Sequence, residues 1–229
     1  MKRKALYLLV PIMVIVGFVL NTLSTTGAFK NIKPHFGGQC RVIEGVVGAE
    51  DITFFPNSNT ALVSSYDRRI KVADPDAEIA GSIFEYNLDS GAVMKISPDL
   101  ADFQPHGFSL YEMQNGEFRV FVINHAQQKH SIDIFALKSG KLDLVRSVES
   151  DLFLSPNDVV AVGPEQFYIS NDHGAESSFM RKLEDYLKLP LSNAVYFDGN
   201  KAKEVATGMS YANGINVSKD GKTLFLNSV

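Results

Sequence analysis

Four polar residues open four similar stretches of an otherwise apolar chain: Glu50, His106, Asn157 and Asn213, at separations of 56, 51 and 56 residues. Each stands second in its stretch, in AEDITFF, PHGFSLY, PNDVVAV and ANGINVS. Hard oxygens of the Glu and Asn type, gathered about six to eight at a time with low ligand charge, are what calcium takes; magnesium and zinc want other sets. Asp51 and Asp158 each follow directly on one of these residues. Side chains alternate faces along an extended chain, so these two aspartates point away from the mouth that the first set would line and could hold a second, deeper ion. The plainer reading is that Asn and Asp start turns and cap strands. Recurrence in phase favours the metal reading. His106 and His125 begin and end one hairpin, where two imidazoles side by side could share a proton, one polarising the other as a general base near neutral pH. Two half-buried histidines bonded to backbone carbonyls would look the same in sequence. His35 falls in a linker and His130 in a polar turn, and neither is given a role. There is no zinc-ligand spacing, no Gly-x-Ser-x-Gly elbow and no phosphate loop.

Something must bring these distant residues together. Each stretch runs on as a short apolar strand, a turn rich in Asn, Gly or Pro, a second apolar strand and a polar exit. Further alternating strands lie between them, joined by Asp-Gly, Ser-Gly and Asp-Ser-Gly turns that read as hairpins. Four strands in roughly 50 residues is the spacing of a β-propeller blade. In that architecture the innermost strands converge on a central channel, so their opening residues meet at one tunnel mouth. At ~52 residues per blade, the chain after Glu50 makes about three and a half blades. The expected fold is therefore all-β, a partial propeller over 49–229, with an apolar helix at the N-terminus. Residues 176–189 break the strand pattern. Phe179, Leu183 and Leu187 stand at helical spacing, which predicts a short helix, read as a lid over the propeller rather than a membrane-facing element.

The totals bound the rest. With 229 residues and 45% hydrophobic content the chain can bury one sizeable core. A net charge of −4 and no basic stripe argue against a nucleic-acid surface. At the N-terminus Lys2, Arg3 and Lys4 precede an apolar run over 5–20, and the next charge is Lys30. Residues 1–28 thus read as a signal peptide or a signal anchor, with 29–48 a glycine-containing linker. The cationic end stays in the cytoplasm and the domain lies outside, secreted or held at a membrane. Cys40 is the one cysteine. In an exported protein it reads as a free thiol, an intermolecular bridge or half of a pair whose partner lies outside the chain.

The stretches GAED (48–51), PHGFS (105–109), VINHAQQKHSIDIF (122–135), PNDVVAVGPEQFYISNDH (156–173), EDYLKLPLSNAVYF (184–197) and ANGINVSKDGK (212–222) resemble the paraoxonase family of serum arylesterases and lactonases, in order, from about Cys40 to the last residue. The resemblance implies a six-bladed propeller with two calcium ions in its tunnel that hydrolyses lactones and aryl esters. It matches the catalytic calcium to Glu50, Asn157 and Asn213. The structural calcium is matched to Asp51, Asp158 and the backbone carbonyl of Phe108. His106 and His125 match the catalytic histidine pair, and Asp172 an acid beside the site. Family members continue well beyond the end of this sequence, so a C-terminal truncation is expected. By the same resemblance, the missing part carries an Asp-Asn pair completing the catalytic calcium site and the cysteine that pairs with Cys40. The chain alone is then expected to be inactive. The implied partners are a small-molecule lactone or aryl ester and, through the N-terminal segment, a membrane, with no nucleic acid. A non-catalytic propeller that uses calcium only for structure is the alternative. A sugar-lactonase or strictosidine-synthase-like enzyme is a third, disfavoured by histidines at both 106 and 125.

Overall fold

The computed structural model describes residues 2–126 and 129–228. Gln127 and Gln128, inside one of the stretches that carry the resemblance, lie outside the described residues. The chain divides into two compact units, 1–42 and 43–229, and the division falls inside the expected linker. In the first unit, α1 (Lys2–Thr25) is a helix with Pro11 inside it. It closes where the N–H of Ala28 reaches back to the Leu23 carbonyl and Gly27 takes a positive φ, the usual chemistry of a helix end. Among the described residues no helix is long and apolar enough to cross a membrane. Cys40 is exposed and unpaired.

The second unit is built of antiparallel sheets, as the hairpin turns predict. β1 (Ala49–Phe54), β2 (Thr60–Ser65), β3 (Ser82–Asn87) and β4 (Val93–Lys95) form the first sheet in that order. β5 (Pro105–Glu112), β6 (Phe118–Asn124), β7 (Ser131–Lys138) and β8 (Lys141–Glu149) form the second. β9 (Pro156–Ala161), β10 (Phe167–Asn171), β11 (Ser192–Phe197) and β12 (Ala202–Met209) form the third. β13 (Ile215–Val217) and β14 (Leu224–Leu226) make a two-stranded sheet. Three four-stranded blades and a two-stranded one agree with the blade count read from the repeat. A short helix, α2 (Arg68–Ala73), follows the first hairpin and is capped by Asp67. The expected helix in the third repeat is α3 (Ser178–Leu187), capped by Ser177 and closed by Lys188 in a left-handed conformation.

The inner strands of the second blade are apolar on both faces because that blade is packed between the first and the third. Along β6, Val120 and Val122 face the first blade, joining Leu62, Ile83 and Phe135 in one cluster. Phe121 and Ile123 face the third, joining Ile134, Phe167 and Val195 in another. This is the two-residue period of a strand read out on both sides. Within the second cluster Phe167 stacks on Phe197 with centroids 5.1 Å apart and meets Phe121 edge-on at 5.8 Å. Removing such a ring typically costs about 3–5 kcal/mol, so inter-blade aromatic packing is a principal hold on the order of the blades.

The first strands of the blades lie side by side: β1 touches β5, β5 touches β9 and β9 touches β13. Each of the first three carries one residue more than its partner at its opening. Ala49 to Ile52 spans Ser65 to Val63, Pro105 to Phe108 spans Asn124 to Val122, and Pro156 to Asp158 spans Asn171 to Ser170. Such bulges break the pairing and re-aim side chains, and here they hold Glu50 and Asp51, His106 and Gly107, and Asn157. Asn213 differs, because it precedes β13 rather than lying on it. The close approach of β5 to β9 is set by Gly107, where a Cβ would lie 2.6 Å from the Asn157 carbonyl oxygen and 2.8 Å from Asp158 Cα. Those atoms are backbone and cannot swing aside. Gly107→Ala is therefore expected to cost about 1–3 kcal/mol of stability by overpacking, read as a lower denaturant midpoint; an unchanged midpoint would mean that the two strands can part freely.

Candidate active site

One backbone device, repeated, positions the site. The residue just past the second strand of each blade donates its N–H to the residue just before the first strand: Tyr66 to Gly48 O (3.2 Å), His125 to Gln104 O (3.0 Å) and Asp172 to Ser155 O (2.9 Å). In the second and third blades an asparagine one residue earlier completes the clasp. Asn124 Oδ1 accepts from Gln104 N (2.9 Å), and Asn171 Oδ1 accepts from Ser155 N (3.0 Å). Both amides are anchored behind, Asn124 Nδ2 on Asp133 Oδ2 (2.9 Å) and Asn171 Nδ2 on Asn193 Oδ1 (2.7 Å). The result sets His125 beside His106 and Asp172 beside Asn157.

The expected histidine pair is in contact. His106 Nδ1 lies 2.7 Å from His125 Nε2, and His106 Nε2 meets Glu50 Oε1. His106 is buried. His125 has its pKa pulled down to about 2, first by burial and then by the neighbouring His106 and His130. The other carboxylate oxygen of Glu50 is held by the guanidinium of Arg68 on α2. Asp172 accepts from Ser155 Oγ (2.5 Å) through Oδ1 and from Asn157 Nδ2 (3.2 Å) through Oδ2. Asn213 is exposed, and its backbone carbonyl takes the hydroxyl proton of Ser170 on β10.

The deeper set also assembles. Asp51 Oδ2 accepts the N–H of Phe108 (2.8 Å), and Asp158 Oδ2 accepts that of Ile215 (2.8 Å). With Phe108 they line one cavity of about 340 Å³, and no Lys, Arg or His is among the described residues that line it. Burial pushes both carboxyls up, Asp158 to about 6, and the charge of Asp51 adds to the rise at Asp158. Carboxylates desolvated together, with no Lys, Arg or His among the described residues lining the cavity they share, are a donor set that a hard divalent ion would suit. No three His, Cys, Asp or Glu among the described residues gather into a metal-holding group. The expected sets are instead one or two carboxylates completed by carboxamide and backbone carbonyl oxygens.

Three participants were not picked out in the sequence. His130, given no role there, places Nδ1 at 2.9 Å from His125 Nδ1. The signal was the hairpin register: Asn124 pairs with Ser131, so the residues just outside that pair, 125 and 130, are neighbours. Arg68 on Glu50 left no mark, since nothing in the spacing ties α2 to the mouth. His173 bridges Asp172 Oδ1 and Asp185 Oδ1 on α3, at 2.8 Å each, and meets Tyr211 edge-on.

A family model described as arylesterase matches residues 31–229, and the chain belongs to that family. Chicken serum paraoxonase/arylesterase 2 is 37% identical over 210 residues, which cover 87% of this chain and 58% of the relative. Mouse serum paraoxonase/arylesterase 1 is 31% identical over 208 residues, 87% of this chain and 59% of the relative. The human type 2 protein is 34% identical over 201 residues, 82% and 55%. The chain thus spans somewhat over half the length of these relatives. Among solved structures, a gluconolactonase from Xanthomonas campestris superposes with a TM-score of 0.54 at 12% identity, over 82% of this chain and 57% of that one. That likeness shows the fold.

His173 gives a pH test of its bridge to α3. Burial works against its charged form, but hydrogen bonds and charge from Asp172 and Asp185 outweigh it and raise the pKa. A raised folded pKa gives a contribution that is complete below the unfolded value of about 6.5 and is lost as pH rises through the folded value. The melting temperature is expected to fall as pH climbs through that window, and His173→Asn to flatten the slope; matching slopes in the two proteins would exclude the bridge as a contributor.

Proposed function

We propose that the chain carries the metal-binding and proton-handling residues of a calcium-dependent hydrolase of lactones and aryl esters, acting outside the cytoplasm. The observation that carries this reading is the string Glu50, His106, His125, together with the carboxylates of Asp51 and Asp158 that share one cavity. Family membership and the chemistry of the donors support it.

On this reading Glu50, Asn157 and Asn213 contribute to the upper calcium, and Asp51, Asp158 and the Phe108 carbonyl to the lower one. When bound, the upper ion supplies a Lewis acid that polarises the ester carbonyl and stabilises the oxyanion. His106 supplies the base. In the structure its Nε2 is engaged by Glu50; the base form carries its proton on Nδ1, donated to His125 Nε2, and leaves Nε2 free to take a proton from water. Uncharged, His125 accepts that bond without adding a positive charge beside the base. Asp172 accepts from the Nδ2 of Asn157, which leaves Asn157 Oδ1 as the group available to a cation. Cys40 pairs outside the chain, and the N-terminal segment directs export as a signal peptide or anchor. The 229-residue chain assayed alone is expected to be inactive, because the resemblance places further ligands of the upper ion beyond it.

At native length, His106→Gln is expected to lower phenyl acetate hydrolysis by about 10²–10⁴-fold, the usual worth of a positioned base, and Glu50→Ala to abolish it. Calcium binding to the protein with no turnover of any lactone or aryl ester would instead define a binding module. For the lower ion, calcium at about 100 times its Kd is expected to stabilise by about 2.7 kcal/mol. Asp158→Asn should remove most of that thermal shift, and a variant with the full shift would take Asp158 out of the ligand set.

A further inference from the structure

The histidine pair is the middle of a longer chain. Glu50 Oε1, His106, His125 and His130 follow one another, with His106 Nδ1 at 2.7 Å from His125 Nε2 and His125 Nδ1 at 2.9 Å from His130 Nδ1. The rings are tilted 55° at the first junction and 85° at the second. An uncharged imidazole has one donor and one acceptor nitrogen. A chain of them therefore has only two senses, and fixing one end fixes every tautomer. With the Glu50 carboxylate accepting from His106 Nε2, His106 Nδ1 must accept, His125 donates from Nε2 and accepts at Nδ1, and His130 donates from Nδ1. For His106 to take a proton at Nε2 the sense reverses: His106 Nδ1–H donates to His125, and His125 Nδ1–H needs an acceptor, which is His130 Nδ1. In either sense, the outer nitrogen of the half-buried His125 is served by His130 among the contacts the structure shows for it.

The third ring is itself held. His130 precedes Ser131, which pairs with Asn124 at the base of the β6–β7 hairpin. That base is pinned by the buried carboxylate of Asp133, which takes Asn124 Nδ2 (2.9 Å), Ser131 Oγ (2.9 Å) and Ser147 Oγ (2.5 Å). Besides His125 and His106, the charged groups felt at His130 are Arg181 of α3 and Asp172. Lys129 is drawn away toward Glu149 and Asp151.

We propose that His130 is a positioning residue: its Nδ1 holds the orientation of His125 and supplies the acceptor that His125 Nδ1–H needs when His106 takes the tautomer that ester hydrolysis requires. This rests on the hydrolase reading for its catalytic consequence but not for the hydrogen bond to His125, which is in the structure. A base oriented by a further group behind it is a recurrent arrangement in catalytic sites. An amide at position 130 can still donate or accept by rotation, whereas a phenyl ring can do neither.

The experiment is done on the protein at native length, comparing His130→Phe and His130→Asn with wild type. Ring ¹⁵N spectra are expected to show His125 Nδ1 hydrogen-bonded in wild type and in His130→Asn, and shifted to the position of an unbonded ring nitrogen in His130→Phe. With phenyl acetate and calcium, His130→Phe should lower kcat by about 10- to 100-fold with KM changed less than about twofold, and alter the pH profile of kcat, while His130→Asn recovers most of the rate. A His125 Nδ1 resonance unchanged in His130→Phe, or an unchanged kcat and pH profile, overturns the proposal. If wild type hydrolyses nothing, the hydrolase reading falls, and the ¹⁵N spectra alone decide whether His130 holds His125.

Discussion

The constraint on which the rest depends is electrostatic: Asp51 and Asp158 are desolvated together where the inner strands meet. Each is met by a backbone N–H, from Phe108 and Ile215, and yet both carboxyls are driven toward the neutral form by burial. Charges are brought out of water in this way at a cost that must be repaid by a counter-charge. No basic side chain among the described residues lines their cavity. The strand order, the bulges and Gly107 all serve to bring these two groups to one place, and the proposed lower calcium is the repayment that their chemistry calls for.

Above them the polar groups form a connected system. Glu50 is shared between Arg68 and His106, the three histidines follow, and Asp172 ties Asn157 to His173 and so to α3. Such a network defines one arrangement only if every member is satisfied, since a single orphaned polar atom in a buried setting costs more than its bond was worth. The repeated clasp at Gly48, Gln104 and Ser155 keeps the members in register by backbone bonds, independent of the side chains they display.

Much of this was legible in the amino-acid order. Hairpin turns and apolar strands at a fixed spacing gave the blades, because a repeat that packs on its own kind must recur at one period. Glu50, His106 and Asn157 stood out for the same reason, being polar at one phase of an apolar repeat. Their neighbours Asp51 and Asp158 followed from alternation along a strand, and the structure does set them apart from the first set. The short helix at 178–187 showed in its spacing of Phe179, Leu183 and Leu187. Asn213 was read as a strand residue by the same phase, and the structure moves it to the approach to β13.

What the order of residues determined by itself is the list of groups able to do chemistry and the period that gathers them, since both are properties of local pattern. Only the tertiary structure decided how those groups touch. The meeting of Glu50 with His106, the N–H of Phe108 on Asp51 and that of Ile215 on Asp158 are all set by where separate blades come to rest. Such contacts depend on offsets of an ångström or two between segments far apart in sequence, and a pattern of types along one chain does not contain that information.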